Sequence, residues 1–297
     1  MGWIRKTLLA LGFICFGVGI AGAWVVYSSA EGFRQDAATI DLEKTAPSRD
    51  VNRLSIHSDF SDVVFVRSED DDIHFRLAGT TNDRVQHAAD IDLTSRNGTV
   101  TADLRYEKQQ DNWFNFNIFE LVSLMDGSWS KLRFEVALPD RSFQEIELTT
   151  DAGDIEASRA VRADKLSLRT SFGRISVDEY GGDRLELQTD AGRIEARRIA
   201  ATEKVKAKTS FGNIDMSLDK VAEKVELSTD TGNIEAEVPQ GDALRVDLKN
   251  DSGGIDVDVA GLKSRDDTDH SFQGSVGSGG PLLEARSSFG SIEIREK

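Results

Sequence analysis

From Ile146 to the C-terminus, apolar and polar residues alternate with a period of two, and each run is broken by a turn of the form T-[D/S]-x-G-x-I. IELTTDAGDIEA carries Asp151, LSLRTSFGRISV Ser171, LELQTDAGRIEA Asp190, VKAKTSFGNIDM Ser210, VELSTDTGNIEA Asp230, VDLKNDSGGIDV Asp251 and EARSSFGSIEI Ser288. Successive turn residues lie 20, 19, 20, 20 and 21 positions apart, and then 37. A Ser/Gly/Asp-rich insertion, residues 262–280, fills the long interval. Ile146 and Leu148 alternate with Glu147 and Thr149, as in a half-buried strand. The D-x-G or S-F-G element supplies a turn, with Gly where φ must be positive. A second short strand follows, with Ile155 and Ala157 on one side and Glu156 on the other. Val161, Ile199 and Val221 give the connectors one apolar residue each.

Two short strands and a connector are too little to bury an apolar face alone, so the coils must stack, about 4.8 Å apart. The pattern predicts an all-β fold, a β-solenoid or β-helix-like stack of about 20-residue coils. Strict alternation and the density of β-branched residues exclude amphipathic helices from the repeats. LSIHSDFSDVVFV (Leu54 to Val66), DIDLTSRNGTVTADL (Asp90 to Leu104) and KLRFEVALP (Lys131 to Pro139) read as degraded coils, as expected where a stack is capped. No linker breaks the chain after Val51, which makes residues 51–297 one domain.

The N-terminus has a different pattern. Thr7 to Tyr27 is an uncharged run, TLLALGFICFGVGIAGAWVVY, long enough to cross about 30 Å of hydrocarbon as a helix. Arg5 and Lys6 precede it and Glu31 and Asp36 follow, so a retained anchor puts the N-terminus in the cytoplasm and the repeats outside. A cleaved signal peptide is the alternative, with Ala21-Gly22-Ala23 or Ser28-Ser29-Ala30 as the processing site. The run exceeds the roughly 7–15 residues of a signal h-region, which favours a transmembrane signal anchor over residues 1–29. Residues 30–50 read as a polar tether.

Composition narrows the partners. The formal charge of −16 argues against nucleic acid, which demands a basic surface, and against charge-driven binding to anionic headgroups. Cys15, the single cysteine, lies inside the apolar run, so there is neither a disulfide framework nor a cysteine zinc site. The residues before it do not match a lipoprotein signal. His57, His74, His87 and His270 show no metal-ligand spacing, Glu69 to Asp72 lack a calcium-loop pattern, and no G-x-S-x-G or P-loop is present. No cofactor is expected.

Leu132-x-Phe134-x-Val136-x-Leu138-Pro139, leading into Ile146-x-Leu148-Thr149-Thr150-Asp151-Ala152-Gly153-Asp154-Ile155, resembles the bacterial β-strand-repeat "putative adhesin", or toast-rack, domains of unknown function. GSGGPLLEARSSFGSIEI is similar to the last coil of that family, and the resemblance covers about residues 51 to 297. It implies a module exposed outside the bacterial cytoplasmic membrane, periplasmic or at the cell surface, and linked to envelope stress or surface interactions. It brings no catalytic residues.

Two features depart from a plain member. Asp151, Asp190 and Asp230 mark every second coil, Phe172 and Phe211 mark those between, and Phe289 closes the stack. Stacked turns would set carboxylates about 9.6 Å apart, interleaved with phenyl rings. Aromatics so spaced can stack sugar rings while carboxylates bind hydroxyls. The same residue types also suit turns, where Asp and Ser satisfy local amides and Phe packs over its neighbours. The second departure is an aromatic insertion, residues 107–130, with Trp113, Phe114, Phe116 and Trp129. It reads either as a partner-binding or membrane-grazing loop, or as a cap over one end of the stack with a short helix at Ile118 to Met125.

Three functions follow as expectations. The first is a non-enzymatic envelope binding module for a protein or glycan. The second is a carbohydrate-active enzyme using Asp151, Asp190 or Asp230 as acid and base. The third is a self-assembling scaffold.

Overall fold

The computed structural model describes residues 37–82, 89–106, 131–157 and 161–297. The apolar run at 7–27 expected to cross a membrane, the aromatic insertion and the short helix expected at Ile118 to Met125 lie outside the described residues. The chain divides into two compact units. The larger comprises Asp41–Ala78, Ala89–Glu107 and Leu132–Lys297. In the smaller, only residues 37–40, 79–82 and 131 are described.

The larger unit is all β, and its coils lie where the alternation put them. Each coil is a long strand, a turn and a shorter strand, and every turn but the one between Phe60 and Asp62 carries the glycine. The long strands are β2 (Arg53–Phe60), β8 (Phe143–Ala152), β10 (Ala163–Phe172) and β12 (Tyr180–Ala191), then the second half of β13 (Ile194–Phe211), β15 (Lys224–Thr231), β17 (Leu244–Ser252) and β21 (Leu282–Phe289). Their partners across the turn are β3 (Asp62–Arg67), β9 (Ile155–Ala157), β11 (Ile175–Val177), the first half of β13, β14 (Ile214–Leu218), β16 (Ile234–Val238), β18 (Ile255–Asp258) and β22 (Ile292–Glu296). Long strands pair in parallel with long and short with short, in register: Leu148 faces Leu168, which faces Leu187. On the other face Ile155 meets Ile175, which meets Ile194. These inward residues are buried, as are the connector residues Val161, Ile199 and Val221. Parallel stacking in register is what a 20-residue repeat demands, since one apolar column then buries the next.

Three elements depart from the expectations. First, chain order is not stacking order at the C-terminal end. Strand β21 pairs with β15 on one side and β17 on the other, and β22 lies between β16 and β18. The last coil in sequence is therefore interior, and Phe289 does not close the stack. The insertion at 262–280 makes this possible. It forms a hairpin of β19 (Lys263–Thr268) and β20 (Ser271–Val276), whose β20 covers the outer edge of β17 antiparallel.

Second, Asp90 to Leu104 is a hairpin rather than a coil. Strand β5 (Ala89–Arg96) runs antiparallel to β6 (Thr99–Tyr106) through Asn97 and Gly98, both at positive φ (52° and 74°). Asn-Gly with two positive φ angles is the tight hairpin turn that suits strand twist. Strand β6 pairs in parallel with β2, and β7 (Lys131–Leu138) in parallel with β3.

Third, Ala37–Ala46, read as part of a polar tether, form strand β1, which pairs with β4 (Ile73–Asn82). Its charges are why it reads as tether, and they are also what hold it. Asp41 receives two bonds from Arg76, both 2.8 Å, and Lys44 meets Asp90 at 3.0 Å. Among the described residues no helix is long and apolar enough to cross a membrane.

Candidate functional site along the turn edge

The turns stack into one edge, and each residue of the turn forms a column. The glycines come closest together. A Cβ added at Gly232 (φ 147°) would lie 2.0 Å from the Gly212 carbonyl oxygen, so this column admits no side chain. Three residues earlier sits a buried hydroxyl. Thr170 donates to the Gly153 carbonyl (3.1 Å), Thr189 to Gly173 (3.0 Å), Thr209 to Gly192 (3.1 Å) and Thr229 to Gly212 (2.9 Å). Ser287 continues the column to Gly232 at 3.0 Å, and Asn250 to Gly290 at 2.7 Å, in stacking rather than chain order. Directly after the glycine in three coils, and after Ser61 in a fourth, an Asp or Asn accepts the next coil's amide. Arg174 N–H donates to Asp154 (2.8 Å), Asn233 to Asn213 (3.0 Å) and Ser291 to Asn233 (2.9 Å), while Asp154 itself donates to Asp62 (2.9 Å). Backbone groups that a turn leaves unpaired are thus satisfied by side chains at fixed places.

The remaining two columns point away from this bonding. In stacking order one reads Phe60, Ala152, Phe172, Ala191, Phe211, Thr231, Phe289, Ser252. Chain order breaks the two-coil alternation after Thr231; insertion of the last coil between β15 and β17 restores it. Phe60, Phe172, Phe211 and Phe289 are 49, 65, 65 and 63% exposed, and they are the exposed large apolar side chains of the described residues. Two coils separate successive rings by about 9.6 Å, so the four extend over roughly 29 Å. Phe60 escaped the sequence reading because its turn, S-D-F-S, lacks the glycine.

Asp151, Asp190 and Asp230 precede Ala152, Ala191 and Thr231, on the coils between the rings. They are exposed, and among the described residues their carboxylates make no hydrogen bond or ion pair. The turn amides are served by the Asp154–Asn233 column instead. Trp113, Phe114, Phe116 and Trp129 lie outside the described residues.

A pocket of about 180 Å³ lies elsewhere, lined by Phe65, Arg67, Leu138, Asp140, Phe143 and Arg162 among others. Its charges are internally paired: Arg67 and Arg162 both hold Asp140 at 2.9 Å. Arg141 spends its guanidinium on the Ser48 and Val51 carbonyls. Among the described residues no group of three or more His, Cys, Asp or Glu is arranged to hold a metal ion.

The chain belongs to the Toastrack DUF4097 family, whose profile matches residues 51–206 and 200–295, in agreement with the resemblance read from Leu132 to Ile155. No curated protein matches the chain. Among solved structures it is similar to a "putative adhesin" from Bacteroides fragilis, with 14% identity, a TM-score of 0.49, and coverage of 86% of this chain and 97% of that one. It is also similar to a "putative cell adhesion protein" from Clostridium sporogenes, with 11% identity, a TM-score of 0.41, and coverage of 88% and 100%. A "putative lipid binding protein" from Parabacteroides distasonis matches at 16% identity, with a TM-score of 0.43 and coverage of 86% and 96%.

Proposed function

We propose that this Toastrack chain is a non-enzymatic binding module, displayed outside the cytoplasm from a membrane anchor at residues 7–27, and that its ligand docks along the phenylalanine edge. The observation that carries the reading is the exposure of Phe60, Phe172, Phe211 and Phe289 in one regular line. The threonine, glycine and Asp/Asn columns close the turns, whereas the phenylalanine column and the Asp151, Asp190 and Asp230 carboxylates beside it are left facing solvent. Covering one such ring yields about 1–2 kcal/mol, so the line offers several kcal/mol to a partner that spans it. The anchor rests on the uncharged run between Arg5-Lys6 and Glu31.

The catalytic alternative finds no support in the geometry. Asp151, Asp190 and Asp230 stand on an open edge, with nothing to exclude water or raise a proton donor's pKa. End-to-end assembly is disfavoured on the long-strand face, where β20 occupies the outer edge of β17.

The test is co-sedimentation of the full chain, in detergent micelles, with isolated bacterial envelope material, comparing it with the Phe172→Ala/Phe211→Ala double variant. Binding that falls by about tenfold in a folded variant is expected; unchanged binding removes the edge from the function. Protease digestion of intact and of permeabilised cells tests the location, which requires cleavage in cells with only the outer barrier opened.

A further inference from the structure

Resting on the reading that the phenylalanine edge binds, we infer that its ligand is a cationic, proline-rich polypeptide in the polyproline II conformation, read once every three residues. The argument starts from the step of the ladder. Rings recur every second coil, about 9.6 Å apart, through four positions. A polyproline II helix has three residues per turn and rises about 3.1 Å per residue, so one face repeats every 9.3 Å or so. Over three steps the two lattices differ by roughly 1 Å, within the reach of side-chain adjustment.

Other backbone conformations fail this comparison. A β-strand presents one face at about 6.7 or 13.4 Å, which falls out of phase at the first step. Two turns of α-helix span about 10.8 Å and accumulate an error of nearly 4 Å over three steps.

The side chains between the rings agree with the spacing. Ala152, Ala191 and Thr231 alternate with the phenylalanines and leave notches. Seating a pyrrolidine ring between two phenyls takes roughly 7–8 Å, two carbon–carbon contact distances, which the two-coil step supplies. Rigid, apolar, proline-rich segments recognised by aromatic rows lose little entropy on docking.

Charge supplies the second part of the inference. Asp151, Asp190 and Asp230 stand exposed and unpaired on the notch coils, and the chain carries −16 overall. Lysines or arginines flanking the prolines would meet these carboxylates. An acidic or neutral proline-rich segment would not.

The experiment uses the full chain in detergent micelles and a fluorescent twelve-residue peptide of repeating Pro-Pro-Lys, read by anisotropy. Controls are the Gly-Gly-Lys and Pro-Pro-Glu peptides of equal length, Pro-Pro-Lys peptides of one to three repeats, and soluble chito-oligosaccharide. The Pro-Pro-Lys peptide is expected to bind at least about tenfold more tightly than either control, with affinity rising at each added repeat. Phe172→Ala/Phe211→Ala should cost about tenfold or more, and Asp151→Asn/Asp190→Asn a few-fold with a weaker salt dependence. Equal binding of the Gly-Gly-Lys peptide, or binding indifferent to the phenylalanines, overturns the inference. If chito-oligosaccharide binds through the phenylalanines and the peptide does not, the ligand assignment falls while the edge remains the binding surface. If envelope material too is held independently of Phe172 and Phe211, both readings fall.

Discussion

The regular stack and the strands before it solve the same problem by different means. Between Phe143 and Val238 the coils are tied by side chains that bond backbone groups of the neighbouring coil: Thr170, Thr189, Thr209 and Thr229 each donate to a carbonyl, and Asp154 and Asn213 each accept from an amide. Strands β1 and β4 lack that repeat, and to their backbone pairing and the buried Ile73, Phe75 and Leu77 they add ion pairs. Arg76 grips Asp41, and His74 sits between Asp70 at 2.8 Å and Glu43 at 3.3 Å. Ion pairs also link coils of the stack, Lys165 with Glu145 at 2.9 Å and Arg184 with Glu203 at 2.6 Å among them, but there they lie at the surface beside a turn contact that recurs from coil to coil. The threonine contacts of the stack should therefore be indifferent to pH, and the His74 contacts of the N-terminal strands should not.

The severest challenge to the stack is Gly232→Ala. Its Cβ would have to occupy space 2.0 Å from the Gly212 oxygen and 2.5 Å from the Gly212 carbonyl carbon, both backbone atoms held by their own coil. The expected loss is about 4 kcal/mol or more in guanidinium unfolding. A loss under about 1 kcal/mol would mean that the coils do not approach so closely.

Thr209→Val keeps the shape and removes the bond to Gly192, leaving a buried carbonyl with one partner fewer. It should lower stability by about 1–2 kcal/mol, equally at pH 5 and pH 8. A loss that varied with pH would erase the distinction between the two regions.

How far the sequence foretold all this depends on what each segment uses to hold itself. Ile146, Leu148 and Ile155 announce their coil because burial imposes a period of two, and the glycine turn announces itself because nothing else fits there. Strand β1 was missed because its larger apolar residues, Ile40 and Leu42, alternate over only one step before the charged Glu43 and Lys44, which look like solvated tether. Asn97-Gly98 resembled one more coil turn, although that dipeptide is also a hairpin signal. The interior place of the last coil left one trace: Asp230 is followed by Asp251, two Asp coils in a row, and only the spatial insertion of Phe289 mends the alternation. Asp154, Asn213 and Asn233 escaped notice because local sequence does not show which neighbouring amide a side chain will reach.

A smaller effect, specific to the N-terminal strands, is expected from pH. Hydrogen bonding to Asp70 raises the His74 pKa above its ordinary value, despite partial burial, and Glu43 adds to the rise. The bond from His74, with the Asp72 amide, lowers Asp70 to about 2. A raised histidine stabilises the fold fully below its unfolded value near 6.5, and the contribution fades as pH climbs through the folded value. A lowered carboxylate contributes above about 4 and fades as pH falls toward 2. Hydrogen exchange of β1 and β4 should therefore be slowest, after correction for intrinsic rates, between about pH 4 and 6.5, and His74→Gln should flatten the profile. No such profile should appear in β10 or β12.

The least change of all is expected where the binding reading needs it. Phe211→Ala removes a ring that is 65% exposed and makes no ring contact among the described residues, so the unfolding free energy should change by less than about 0.5 kcal/mol. A turn whose purpose were only to pack its phenylalanine over the neighbouring coil would lose about 1.5 kcal/mol or more on truncation, approaching the value for a buried aromatic. The measurement thus separates a column that builds the edge from one that the edge presents. Stability preserved in Phe211→Ala, beside a large loss in Gly232→Ala one turn away, would show one turn serving two ends: glycine and threonine close the stack, and phenylalanine is left free for a partner.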